Sequence, residues 1–127
     1  MADLIANAHR LTVYLEWWEK LAAHRSNLTV PLRAIRKVEL VEDVFDDAAV
    51  AAGERIPATR IRGITVTGTL DDPLTGGAVF AVCHAGGGST SRHGVNVVLS
   101  GATVERIIIS HADAEGLVER LKELTGL

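Results

Sequence analysis

Residues 104–124 read VERIIISHADAEGLVERLKEL, and a change of period inside this stretch decides the fold class. Glu105–His111 is a run of β-branched residues of strand length, so it reads as a strand. From Asp113 onward, Leu117, Val118, Leu121 and Leu124 form one apolar stripe at helical spacing. Asp113 is placed to cap that helix, and Glu115 suits the positive end of the helix dipole. Lys122 lies in the last turn, and Gly126 is placed to close it. A helix with one apolar side must pack on something, and the open end or face of the preceding sheet is the surface at hand.

Upstream the strand pattern continues. GVNVVLSG (94–101) is a strand, and AVFAVCHA (78–85) is another, with Phe80, Val82 and His84 on one face and Val79, Ala81 and Cys83 on the other. DDPLTGG (71–77) is a strong turn signal. ITVTGTL (64–70) sets Ile64, Val66 and Leu70 against Thr65, Thr67 and Thr69. The stretch VFAVCHAGGGSTSRHGV (79–95) then reads as a hairpin, with Val79–His84 antiparallel to Gly94–Leu99 and a glycine-rich tip between Gly86 and His93. A spacing of about ten residues per strand predicts a small antiparallel barrel or sandwich capped by the terminal helix.

Toward the N-terminus, LTVYLEWW (11–18) alternates, with Val13, Leu15 and Trp17 on one face and Thr12, Tyr14 and Glu16 on the other. WEKLAAHRSN (18–27) reads as one or two helical turns ending near Ser26-Asn27. In LTVPLRAIRKVELVED (28–43), Pro31 cannot donate to a ladder, which predicts a short strand, a turn after Pro31 and a second strand over Arg36–Val41. VFDDAAVAAGERIPATRIRG (44–63) is the least strand-like stretch. It is read as a short Ala-rich helix capped by Asp46 or Asp47 and closed by Gly53, then a loop through Pro57.

The chain has 127 residues, which predicts a single domain over 1–127 with a core that needs no metal or disulfide. Apolar residues make up 47% and charged residues 23%, a balance that excludes a largely disordered chain. A formal charge of −3 gives no overall field for nucleic acid or anionic lipid. One cysteine forms no intramolecular disulfide. MADLIANAHRLTVYLEWW is neither a signal peptide nor a membrane span, so a cytoplasmic setting is expected by default.

WEKLAAHRSNLTVPLRAIRKVELVED resembles the first third of a group of uncharacterised small bacterial, chiefly actinobacterial, pleckstrin-homology-like proteins. That group carries a Trp-x-Lys-Leu turn, a Val-Pro pair, an Ile shortly after it and an acidic strand end. GGAVFAVCHAGG and VERIIISHADAEGLVERL look like its later strands, the last running into the helix. The resemblance covers nearly the whole chain and implies a pleckstrin-homology-like fold. At Arg62-Gly63 it departs, since a Pro-Gly turn is expected there. The group has no assigned activity, so none is implied.

The chemical candidates are weak. Cys83 and His84 point to opposite faces of a strand and form no nucleophile–base pair. GGGSTSRHG lacks the Gly-Lys-Ser/Thr ending of a phosphate loop and opens no helix. His84, His93 and His111 match no metal-ligand spacing, and Ser89, Ser91 and Ser100 sit in no nucleophile elbow. Glu42-Asp43, Asp46-Asp47 and Asp71-Asp72 read as solvated turns. Neither catalysis nor a metal or other cofactor is expected. The leading expectation is a non-catalytic domain acting through protein contact or self-association, with Trp17 and Trp18 as contact residues. The other reading is an anionic lipid or small-ligand module. It would use Lys20, Arg25, Arg33 and Arg36, because in pleckstrin-homology domains the first strand connection often holds a phosphoinositide headgroup. Glu16, Glu19 and Glu39 interleave with these bases, which favours a mixed-charge face instead.

Overall fold

A computed structural model describes residues 3–15, 19, 27–52, 55–61, 65–84 and 93–127. The chain opens with β1 (Asp3–Ala6), β2 (Arg10–Tyr14) and β3 (Leu28–Pro31), a three-stranded antiparallel sheet in that order. Strict alternation builds it. Leu4, Leu11, Val13, Leu28 and Val30 turn inward and are buried, while Asp3, Ile5, Arg10, Tyr14 and Thr29 face out. Pro31 ends β3 at a sheet edge, where its missing N–H breaks no ladder. A 3-10 turn over Leu32–Ala34 then leads into β4 (Ile35–Val41), as the sequence predicts.

The second sheet has six strands. β5 (Arg55–Ile61), β6 (Thr65–Asp71), β7 (Ala78–His84), β8 (Gly94–Leu99) and β9 (Arg106–Ser110) join β4 in the order β4-β8-β9-β7-β6-β5. Among the described residues two helices have defined bounds, α1 (Ala48–Ala52) and α2 (Ala114–Thr125). The small sheet and α2 cover one face of the large sheet, sharing a core with Phe80, Val82, Val95, Val97, Ile107 and Ile109. The opposite face carries Val66, Leu70, Val79, Ala81, Cys83 and Ile108. It is covered by Val44, Ala49 and Val50 from the segment that contains α1. Gly94 sits directly against Val44 of that segment, since a Cβ there would overlap Val44 and the Ile109 carbonyl.

The structure is mainly β with one long C-terminal helix, but it corrects the predicted topology in four respects. First, β7 and β8 do not pair. β9 lies between them, antiparallel to β8 and parallel to β7, with Val79 opposite Arg106 and Val82 opposite Ile109. A meander would leave β9 at the edge, yet Ile107, Ile108 and Ile109 are fully buried and need a strand on each side. Second, the sheets do not close into a barrel, and α2 packs on β4 and β8 rather than over a barrel end. Third, the expected loop through Pro57 is the edge strand β5, with a register irregularity between Arg55 and Ala58 that accommodates the proline. The expected cap of the Ala-rich helix is Asp47, whose Oδ1 accepts from the Ala49 amide. Most of the helical turns expected over 18–27, Gly53, the Arg62-Gly63 departure and most of the glycine-rich tip lie outside the described residues.

The fourth correction concerns α2. Asp113 accepts from the Gly116 amide, and Gly126 closes the helix with φ of 74°. Leu117, Val118 and Leu121 are buried, but Leu124 is 41% exposed because the last turn runs past the packed surface. Leu121→Ala should therefore cost about 2–5 kcal/mol in denaturant unfolding, the usual loss for a deleted core leucine. Leu124→Ala should cost about 1 kcal/mol or less, as at other half-exposed positions. Equal losses at the two positions would contradict this packing.

Candidate functional site: the outer face of the small sheet

Three cross-strand rows make up this face. Asp3 opposes Tyr14 in the first row. Ile5, Thr12 and Thr29 form the second, and Arg10 opposes Pro31 in the third. Thr12 and Thr29 hydroxyls meet at 3.1 Å. Ile5 and Tyr14 are 52% and 46% exposed, large for apolar side chains on a flat sheet.

At the Arg10 end, two turns lock together. Asn7 Oδ1 accepts from the His9 and Arg10 amides at 2.8 and 3.0 Å, forming the tight turn between β1 and β2. The Leu32 amide donates to the His9 carbonyl at 3.0 Å, which fastens the 3-10 turn carrying Arg33 beside it. A hollow of about 550 Å³ results, lined by His9, Arg10, Thr29, Pro31, Leu32 and Arg33, among others. A second hollow of about 420 Å³ shares His9, Arg10 and Thr29 with it and extends to Ile5, Thr12, Tyr14 and Asn27. Among the described residues no carboxylate lines either one. Among the described residues no carboxylate pairs with Arg10 or Arg33. Asp3, in the row farthest from Arg10, is engaged by His111 Nε2 at 3.2 Å. His111 Nδ1 accepts from the Asp113 amide, so Nε2 carries the proton and donates.

Of the sequence-predicted ligand residues, Arg33 joins this hollow. Arg36 is exposed nearby and donates from Nη1 to the Arg33 carbonyl at 3.2 Å. Lys20, Arg25, Trp17 and Trp18 lie outside the described residues. His9 and Arg10 were not singled out in the sequence. Their signal was a short polar turn, Asn7-Ala8-His9, between two alternating segments.

The histidine and cysteine candidates separate. Cys83 is buried on the α1 side, its Sγ 3.8 Å from the Ile108 carbonyl oxygen. Burial pushes its thiol far above the usual range, and the charge of Asp47 adds to the shift. His84 projects from the other face, where Nε2 lies 2.8 Å from Oε2 of Glu19, a fully buried carboxylate. The Ser110 hydroxyl accepts from the His84 amide at 2.8 Å. Among the described residues no group of three or more His, Cys, Asp or Glu side chains could hold a metal ion.

Two of the supposedly solvated carboxylates are instead structural. Asp47 takes both Arg106 guanidinium nitrogens, at 2.7 and 3.0 Å, and Asp72 accepts from Nη2 at 3.0 Å. Asn96 Oδ1 adds a longer contact at 3.3 Å. Arg106 begins β9, so the clamp ties the α1 segment and the β6–β7 turn to the central strand. Burial alone would raise the Asp47 carboxyl, but the bonds and charge of Arg106 outweigh it and hold the group below its ordinary value. Bonding to Asp47 raises Arg106 in turn.

Comparison with protein-family models, with curated proteins and with solved structures returns no match. Among the described residues no helix is long and apolar enough to cross a membrane.

Because the folded state lowers the Asp47 pKa, its stabilisation is complete above the ordinary carboxylate range and is lost as pH falls through the folded value. Asp47→Asn should cost about 1–3 kcal/mol in denaturant unfolding near neutral pH, and the deficit should shrink in acid. A deficit independent of pH would exclude the charge-based clamp. Cys83 should react with an aromatic disulfide reagent only as fast as the protein unfolds globally. Rapid labelling under native conditions would mean that its cover opens locally.

Proposed function

We propose that this chain is a non-catalytic binding domain that holds a partner protein against the outer face of the β1–β2–β3 sheet. The composition of that face carries the reading. Exposed Ile5 and Tyr14 adjoin two open hollows whose charged lining residues are basic, on a chain with net charge −3. The inner face of the sheet supplies the core, so folding places no demand on the outer one. Kinship with the pleckstrin-homology-like group is supported by the order of elements, strands first and one packed amphipathic helix last. The parallel β7–β9 pair and the open sheet edges count against it. A cytoplasmic setting fits the single free thiol, which would stay reduced there.

The test is affinity capture from cells that express the protein natively, followed by mass spectrometry. Wild type and Leu74→Ser, altered at an 82%-exposed position in the β6–β7 turn, should retain the same partner. Ile5→Ser with Tyr14→Ser should lose it while keeping the melting temperature within a few degrees. Retention by the double variant would overturn the reading. Sedimentation of the pure protein shows whether the partner is a second copy.

A further inference from the structure

From the geometry of the two hollows we infer that the ligand is an extended peptide segment bearing an anionic side chain, seated with the anion among His9, Arg10 and Arg33. This rests on the protein-contact reading above and specifies its chemistry. Size argues first. Three strands about 4.8 Å apart and about 17 Å long present on the order of 250 Å² in projection. A standard globular interface takes about 800 Å² from each partner. The face therefore suits a segment of chain better than the flank of a folded domain. Both hollows are open troughs on a flat sheet, whereas small-molecule sites enclose most of their ligand.

Polarity argues next. Arg10, Thr12 and Tyr14 project from one face of β2, so Arg10 and Tyr14 stand about 14 Å apart, the reach of four extended residues. Cationic residues gather at the Arg10 end, and the carboxylate Asp3 stands in the row at the opposite end. An extended ligand thus meets positive charge at one end and an aromatic ring with Ile5 at the other. That sets its direction, with the anion toward Leu32 and an apolar side chain against Tyr14. Thr12 and Thr29 supply hydrogen-bonding groups between. Two arginines lining one hollow suit the oxygens of a phosphate or a carboxylate, and the shared requirement is an oxyanion on an extended chain.

The full chain can be titrated by fluorescence anisotropy with pools of labelled nine-residue peptides. Their centres are fixed as phosphoserine, aspartate or serine, and their flanks are degenerate. Inorganic phosphate and phosphatidylcholine vesicles containing phosphatidylserine serve as separate probes. The phosphoserine or aspartate pool should bind more tightly than the serine pool, and the stronger of the two identifies the oxyanion. Arg10→Ala and Arg33→Ala should each weaken that binding about tenfold, the loss of one charge-assisted contact. Higher salt should weaken it further, and Leu74→Ser should leave it unchanged. Equal binding of all three pools, or insensitivity to both arginine variants, would overturn the inference. So would binding of the vesicles without selection among the peptides, which would assign the basic hollow to a membrane surface. Retention of a partner by wild type but not by the Ile5/Tyr14 variant would then leave the protein-contact reading standing without this ligand.

Discussion

Ile107, Ile108 and Ile109 leave no side of β9 for water, and most of the architecture answers that constraint. A strand buried on both faces requires cover above and below, and its backbone requires partners on both edges. The edges are met by β7 and β8, and the faces by the small sheet with α2 and by the α1 segment. Since β9 runs parallel to β7, the chain must travel away and return between them. Residues 85–105, which include β8, make that excursion. Arg106 at the start of the same strand then fastens Asp47 and Asp72, so the strand that centres the sheet also secures two outlying segments.

This arrangement divides the chain into parts that carry the fold and one part that folding leaves free. Both faces of the large sheet are covered over its central strands. Among the described residues the small sheet is covered on one face only, where Leu4, Leu11, Val13, Leu28 and Val30 enter the core. Its outer face contributes little to stability. The Thr12–Thr29 contact is exposed, and exposed pairs of this kind add a few tenths of a kcal/mol. Exposed Ile5 and Tyr14 make no contribution to either described core cluster, and it is on them that the proposed recognition role rests.

Local features were legible in the sequence where the period was strong. The strand–turn–strand reading around Pro31, the turn at residues 71–77 and the Asp113 and Gly126 caps of α2 all rest on short-range chemistry. Pairing order was not legible, because GVNVVL and RIIIS both read as buried strands and nothing local says which lies between the other and β7. The one clue was composition, since three consecutive isoleucines suit a central position better than an edge. β5 was missed because Pro57 and two arginines mask a strand that tolerates them only at an edge. The basic hollow was half legible. Arg33 was a candidate, but its association with His9 and Arg10 depends on the Leu32–His9 hydrogen bond across two separate turns.

The arginines show why charge alone was uninformative. Arg33 follows Leu32 in a turn and Arg106 follows Glu105 at the start of a strand, and nothing nearby in sequence says which of the two carboxylates will reach. In the fold, Arg106 is largely removed from water, and leaving it unpaired would cost several kcal/mol, so two carboxylates close on it. Arg10 and Arg33 face solvent, where an unpaired guanidinium costs little and a surface ion pair would gain little. Folding therefore has no reason to place a carboxylate beside them, nor to gather them with His9 around one hollow. Under the proposed reading, an anion that displaces water from that hollow gains contacts that no described carboxylate supplies.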